Sequence, residues 1–144
     1  SRRHLEIVFQ KSLKDGILEV LTKELEVLKI FQTISPVKGY FQRPNLLYVY
    51  AESEQTNTTR WVKLENSMLK TLCSFIRYRF YELYSEWQKE NEYEINDSAA
   101  MQEKDMMYLQ KVLDESYKVG TSLNSIVEGM YNVVKTNFQT IEFD

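Results

Sequence analysis

The last third of the chain carries an apolar repeat that recurs at every third and fourth residue. Eight of its eleven positions are apolar. These positions are Met106, Leu109, Leu113, Ser116, Gly120, Leu123, Val127, Met130, Val134, Asn137 and Ile141. This spacing places side chains on one face of an α-helix. Because the register passes through Gly120 without a phase change, the pattern predicts one long helix.

The apolar face of this predicted helix is wider than the two positions in seven that a two-stranded coiled coil uses. The further apolar residues that flank the repeat are Val112, Val119, Ile126, Val133, Tyr117, Tyr131 and Phe138. A face of this width predicts packing against at least two neighbouring helices. The chain is therefore predicted to form a helical bundle.

Two earlier segments have the same kind of periodicity. The first stripe comprises Leu5, Phe9, Leu13, Ile17, Leu21, Leu25, Leu28 and Phe31. The second comprises Trp61, Leu64, Met68, Leu72, Phe75, Ile76, Phe80, Leu83 and Trp87. We therefore expect an all-α fold, an elongated antiparallel bundle of three long helices at about 4–33, 58–94 and 98–142. We treat the first helix as continuous through Gly16, despite the cost of about 1 kcal/mol for an internal glycine.

Residues 34–57 interrupt this pattern and contain both prolines of the chain, Pro36 and Pro44, together with Gly39. Proline removes a backbone donor and disfavours helical geometry in the residue before it. This segment is predicted to be an irregular crossover between the first two helices. Within it, the short apolar run at 45–51 fits either a helix or a strand, because periodicity does not discriminate at this length.

The residue inventory argues against an enzyme. His4 is the only histidine and Cys73 the only cysteine among 144 residues, and the four glycines are scattered. Zinc sites and di-iron bundles need more histidines or cysteines than this chain has. A Cys-His or Ser-His-Asp catalytic set would need His4 beside a nucleophile distant in sequence, and nothing in the sequence indicates one. No phosphate-binding glycine loop occurs either. We expect no catalytic residues, no cofactor and no metal.

Charge argues against nucleic acid as a partner, because the formal net charge is −3. Residues 82–115 nevertheless contain ten acids and three bases. The acids are Glu82, Glu86, Glu90, Glu92, Glu94, Asp97, Glu103, Asp105, Asp114 and Glu115, and the bases are Lys89, Lys104 and Lys111. A solvated connection between two helices explains this bias, and a docking site for a basic partner segment is the alternative.

The lone cysteine favours a reducing compartment, so an intracellular and cytoplasmic location is expected. Two potential glycosylation triplets begin at Asn57 and Asn96, and they matter only if the protein is secreted. No apolar run approaches the ~18 residues of a membrane span. Residues 1–144 are expected to form a single helical-bundle domain, interpreted as a fragment of a larger protein.

One cluster has the composition of a protein interface. Arg77, Tyr78, Tyr81 and Tyr84 combine aromatic and basic side chains, and tyrosine and arginine are enriched at interface hot spots. A helical wheel places Arg77, Tyr78 and Tyr81 opposite the second apolar stripe. These four residues are the candidate partner-binding site. The competing interpretation is that they pack on the crossover segment or on the first helix.

These features favour a non-catalytic helical scaffold or protein-protein interaction module, part of a larger intracellular assembly. Its partners would be proteins, and a partner helix could complete the bundle. A membrane-surface-binding helical module is one alternative, with Lys11, Lys14, Lys23 and Lys29 as its best basic face. A secreted helical signalling bundle is another, because residues 34–57 could serve as a long crossover.

Overall fold

The computed structural model describes residues 2–30, 37–40, 43–52 and 59–136. Those residues are mostly helical, as expected for the all-α class, and a small sheet accompanies the helices. The helices are α1 Arg2–Gln10, α2 Leu13–Ile30, α3 Asn66–Glu90, α4 Glu92–Asp97, α5 Ala99–Leu113 and α6 Gly120–Val134. The strands are β1 Val37–Tyr40, β2 Arg43–Glu52, β3 Thr59–Lys63 and β4 Lys135–Thr136. The parts of the predicted helices and crossover at 31–36, 41–42, 53–58 and 137–144 lie outside the described residues.

The first predicted helix is divided in two at Lys11 and Ser12, so the expectation of one helix over 4–33 was wrong. The backbone N–H of Asp15 donates to the Ser12 hydroxyl at 3.2 Å, and that hydroxyl donates to the Asp15 carboxylate at 2.8 Å. Ser12 thus caps the start of α2. Gly16 permits the two segments to pack closely, because an added Cβ would lie 2.3 Å from Cγ2 of Val8.

The end of α1 is held by residues from the last third of the chain. The ammonium group of Lys111 donates to the carbonyl oxygen of Phe9 at 2.6 Å and to that of Lys11 at 3.4 Å. The Phe9 ring stacks on Tyr108 with ring centroids 3.6 Å apart, and Trp87 meets both rings edge-on. These contacts satisfy carbonyls that a helix terminus leaves without intrahelical partners.

The described part of the predicted crossover 34–57 forms strands, which corrects its description as irregular. The four strands lie in the order β3-β2-β1-β4, with the β2 pairings antiparallel and the β1–β4 pairing parallel. Residues 45–51 belong to β2, so the strand alternative is the correct one. The β1–β2 register shifts between Lys38 and Tyr40, and Asn45 has a φ of 58° opposite that irregularity. Asparagine tolerates this left-handed geometry better than most residues.

The second predicted helix begins at Asn66, later than the predicted 58, because Thr59–Lys63 pairs with β2 as strand β3. Trp61 and Val62 are residue types that favour strands, and β2 supplies the neighbouring backbone. The helix ends at Glu90, and the short helix α4 fills the stretch before Ser98. The Ser98 hydroxyl accepts from the backbone N–H of Met101 and caps α5.

The third predicted helix, 98–142, is also divided, so the expectation of one continuous rod was wrong. Helix α5 ends at Leu113, a 3-10 turn occupies Ser116–Lys118, and α6 runs from Gly120 to Val134. The Asp114 carboxylate accepts from the backbone N–H and the hydroxyl of Ser116 at 2.9 and 2.8 Å. This local bonding competes with helix continuation. Ser116 and Gly120, two non-apolar positions of the repeat, lie where α5 and α6 are separated.

The helices pack against one another in pairs around a single hydrophobic core. Helix α2 packs on α6, α1 on α2, and α5 on both α3 and α4, while β1 and β2 pack on α6. Helices α3 and α5 run antiparallel, since Ser74 pairs with Tyr117 and Tyr84 with Asp105. The most completely buried side chains are Tyr117, Phe80, Leu13, Ile17, Leu69, Leu123, Ile126, Met130, Val8, Val112 and Cys73. A bundle of three long helices is not what these residues form.

Candidate interaction surface

Three of the four predicted partner-binding residues line one cleft. Arg77, Tyr78 and Tyr81 project from α3 toward the C-terminal end of α5. The cleft has a volume of about 300 Å³, and its remaining lining residues are Ser74, Val112 and Leu113. Tyr78 and Tyr81 therefore face this cleft. They form one wall of a groove whose other wall is α5.

Hydrogen bonds and an ion pair connect the two sides of this cleft near its ends. At one end, the hydroxyls of Ser74 and Tyr117 share a hydrogen bond of 3.1 Å. At the other end, the Tyr84 hydroxyl donates to the Asp105 carboxylate at 2.5 Å. A long ion pair of 3.9 Å joins Arg77 to Glu115. These contacts hold α3 and α5 at a fixed separation, so the groove exists before any partner arrives.

Tyr84, the fourth predicted residue, lies in the core and not in the cleft. It is 2% exposed, and its ring packs near Trp87 and Tyr81. Burial raises the pKa of its hydroxyl above the ordinary value, and the hydrogen bond to Asp105 raises it further. Tyr84 therefore supports the wall of the cleft from behind.

Met68, Leu72 and Phe75 belong to the second apolar stripe, which predicts burial, but all three are exposed. Phe75 is 70% exposed and Tyr78 is 64% exposed. Tyr78, Tyr81 and Leu113 of α5 line the cleft, and Phe75 lies one turn before Tyr78 on α3, whereas Met68 and Leu72 lie farther around the helix, away from α5. We call the four residues Phe75, Tyr78, Tyr81 and Leu113 the α3–α5 surface.

A signal for exposed apolar side chains on α3 was present in the sequence. Two apolar ridges run side by side along α3, and they differ by a single residue in register. The buried ridge contains Leu69, Cys73, Ile76, Phe80, Leu83 and Trp87, all buried or half-buried. The exposed ridge contains Met68, Leu72 and Phe75. One helix with two apolar ridges has more apolar surface than a single core contact needs.

Several acidic side chains of the segment 82–115 pair with basic side chains of the same chain. Arg79 donates to Glu82 at 2.9 Å, and Lys118 lies 3.2 Å from Glu115. Arg2 of α1 forms a forked hydrogen bond with Glu90, which raises the pKa of Arg2 and lowers that of Glu90. These contacts favour the interpretation of this segment as solvated connecting structure.

Residues with potential chemistry are dispersed. Among the described residues, no three His, Cys, Asp or Glu side chains form a group that could hold a metal ion. Cys73 is fully buried, and burial raises the pKa of its thiol from 9.0 to about 11. A thiol in such surroundings is inert, because the reactive form is the thiolate. Burial also lowers the pKa of His4.

The helices found between residues 2 and 136, in the described ranges, lack the combination of length and apolar character needed to cross a bilayer. No protein-family model, curated protein or solved structure shows significant similarity to this chain.

Proposed function

We propose that this chain is a non-catalytic helical interaction module that binds a protein partner through the α3–α5 surface. The observation that carries the proposal is the exposure of Phe75, Tyr78, Tyr81 and Leu113 beside a preformed cleft. Single exposed apolar residues are normal, but contiguous patches of this kind mark interaction sites. Arg77 adds the charged residue type most enriched in such interfaces.

The supporting structure behind the surface also favours binding. Tyr84 and Tyr117 bond across the helix pair and fix the walls of the cleft. A rigid surface loses little conformational entropy when it binds, so more of the contact energy appears as affinity. In the proposed assembly, this module would hold its partner at a defined position relative to the rest of a larger intracellular complex.

The test is affinity purification of the tagged full chain from its native extract, followed by quantitative mass spectrometry. Leu113→Asp and Tyr78→Ala change exposed residues of the α3–α5 surface. Tyr93→Ala is the matched control, because Tyr93 is 82% exposed on α4 and lies outside that surface. We expect the same partner with the wild type and the control, and its loss with both surface variants.

Either of two results would refute the proposal. One is that no protein is enriched with the wild-type chain. The other is that the surface variants retain every partner of the wild type. Circular dichroism of each variant establishes that the fold is intact, which separates loss of binding from loss of structure.

A further inference from the structure

The N-terminal part of α3 is basic. Residues 66–81 contain Lys70, Arg77 and Arg79 and no acidic residue, and every acid of this helix lies within 82–90. The α3 residues of the α3–α5 surface all belong to this basic part. The α3 wall of the cleft is therefore basic as well as aromatic.

Two of these cations lie on the side of α3 that forms the cleft. Ser74, Arg77 and Tyr81 line the cleft, and Lys70 precedes Ser74 by four residues. Residues three and four apart are neighbours on a helix surface, so these four side chains follow one line along α3. Lys70 is exposed at the N-terminal end of that line.

The carboxylates next to the cleft residues already accept from donors of the same chain. Glu82 accepts from Arg79 at 2.9 Å, and Glu115 lies 3.2 Å from the ammonium group of Lys118. The carboxylate of Asp114 accepts from the backbone and the hydroxyl of the residue two positions later. Two of these three negative charges are therefore balanced by a cation of the chain.

Arg77, in contrast, has donors that the chain does not use. A guanidinium group carries five N–H donors in a planar fork that matches a carboxylate. Within the described residues, Arg77 makes one long ion pair of 3.9 Å, to a Glu115 that it shares with Lys118, and no hydrogen bond. Its side chain is 27% exposed. Because partial burial weakens the screening by water, a carboxylate placed here would interact strongly with Arg77.

We propose that the α3–α5 surface binds an acidic segment of its protein partner, in which an apolar side chain enters the cleft and a neighbouring carboxylate pairs with Arg77. This inference rests on the proposed function, because it names the chemistry of the partner of the same surface. The cleft volume of about 300 Å³ lies at the lower end of ligand-pocket sizes, so one anchoring side chain is the part that enters. Complementary charge speeds association and disfavours basic partners.

Single-stranded nucleic acid also binds to mixtures of aromatic and basic side chains. Such binding uses a positively charged groove that follows the backbone. Here the same helix continues into the acidic stretch 82–90, and the formal net charge of the chain is −3. A short acidic protein segment matches this charge distribution better than a nucleic acid strand does.

The test is selection of short random peptides, displayed on phage, against the immobilised full chain, followed by titration of the enriched peptides by fluorescence anisotropy. We expect peptides with aspartate or glutamate next to leucine, phenylalanine or tryptophan, and an affinity that falls as salt is added. Arg77→Gln should raise the dissociation constant about tenfold, because it removes a charged bidentate donor. Lys70→Gln should have a smaller effect in the same direction.

Lys89→Gln is the matched control, because it removes an exposed cation of the same helix that lies outside the cleft. It should leave the dissociation constant unchanged. Circular dichroism of each variant establishes that the fold is intact. Enrichment of basic peptides, of uncharged peptides or of none would refute the acidic partner, as would an Arg77→Gln variant with the affinity of the wild type.

An oligothymidine strand, titrated beside the peptides, tests the nucleic acid alternative. If it binds more tightly than every enriched peptide and loses affinity on Arg77→Gln, the acidic partner is refuted. The proposed function is judged separately. If the partner purified from the native extract is lost on Leu113→Asp but retained on Arg77→Gln, the surface binds a protein and only the acidic chemistry is wrong.

Discussion

Tyr81 and Tyr84 are one turn apart in the same helix and have opposite surroundings. Tyr81 is 40% exposed at the cleft, whereas Tyr84 is buried and bonded to Asp105. Composition alone groups the two residues, because both are tyrosines close to the Arg77–Arg79 segment. The helical wheel separates Arg77, Tyr78 and Tyr81 from the buried stripe. The position of Tyr84 depends on where α5 packs, which no local pattern reveals.

Tyr84→Phe removes only the hydroxyl that donates to Asp105. The Asp105 carboxylate then loses this hydrogen bond. Hydrogen bonds to charged groups contribute roughly 1.5–3 kcal/mol to stability. We expect a decrease of about that size in the free energy of unfolding, measured by urea titration. Tyr81→Phe is the control and should change the free energy of unfolding by less than about 0.5 kcal/mol. Equal effects of the two changes would contradict the assignment of Tyr84 to the core.

Cys73 should make stability depend on pH in the alkaline range. Its thiol has a raised pKa of about 11 in the folded chain, against an ordinary value of 9.0. The folded state therefore favours the protonated thiol. Its contribution to stability is complete below pH 9 and is lost as the pH rises toward 11.

The measurement for Cys73 compares the wild type with Cys73→Ala, because tyrosines and lysines also titrate in the alkaline range. The difference in free energy of unfolding between the two proteins should fall by on the order of 2 kcal/mol across that interval. A difference that stays constant with pH would show that the thiol is not buried as described.

At the scale of elements, the apolar periodicity correctly predicted a mostly helical chain, but it also assigned Trp61 of β3 to a helix and did not reveal where the helices end. The stripe of the first segment continues across Ser12, because residues on both sides of the break still reach the core. The breaks are set by side chains that bond to the backbone, at Ser12 and at Asp114. Such hydrogen bonds are short-range. Serine and aspartate occur at many positions where this bond is equally possible, so the sequence alone does not show which of them ends a helix. The sheet was missed for a different reason: β1, β2 and β3 are short runs that pair with their neighbours in sequence, and periodicity over so few residues does not distinguish a strand from a helix.

Replacement by alanine at two glycines near helix starts should change the free energy of unfolding in opposite directions. An added Cβ at Gly120 meets open space at the start of α6, and its φ is not positive. Gly120→Ala should therefore raise the free energy of unfolding by about 0.4–1 kcal/mol, because it restricts the unfolded chain.

Gly16→Ala is the opposing case, because the new Cβ would lie 2.3 Å from Cγ2 of the fully buried Val8. Overpacking of this kind costs about 1–3 kcal/mol. Thermal unfolding followed by circular dichroism should show a higher Tm for Gly120→Ala and a lower Tm for Gly16→Ala. Similar shifts for both variants would contradict the close contact of α1 and α2.

At the scale of the whole molecule, the sequence predicted a helical protein with excess apolar surface, but not the arrangement of its helices. Val112 and Ile126 are buried as the wide apolar face predicted, whereas Val119 is exposed. Val119 differs because it lies in the turn between α5 and α6, where its backbone is extended and leaves the helical register. A single register therefore contains core residues and surface residues, and only the packing distinguishes them.

Leu113 and Leu123 belong to the same sequence register, and the structure separates their roles. Leu123 is 2% exposed and Leu113 is 48% exposed. Leu123→Asp would bury an unpaired charge, which costs several kcal/mol and should unfold a domain of ordinary stability. Leu113→Asp should leave the circular dichroism spectrum and the Tm nearly unchanged. Unfolding by both substitutions would mean that Leu113 is part of the core.

The contact between Phe9 and the Tyr108–Lys111 segment has a consequence for biosynthesis. The first helix emerges from the ribosome about a hundred residues before the segment that secures it. Contacts between residues so distant in sequence form slowly. Until they form, the segments involved expose apolar surface. During translation α1 can pack on α2 but still lacks its contacts with Tyr108 and Lys111, so a chain truncated before Tyr108 would leave the Phe9 ring more accessible to chaperones and proteases.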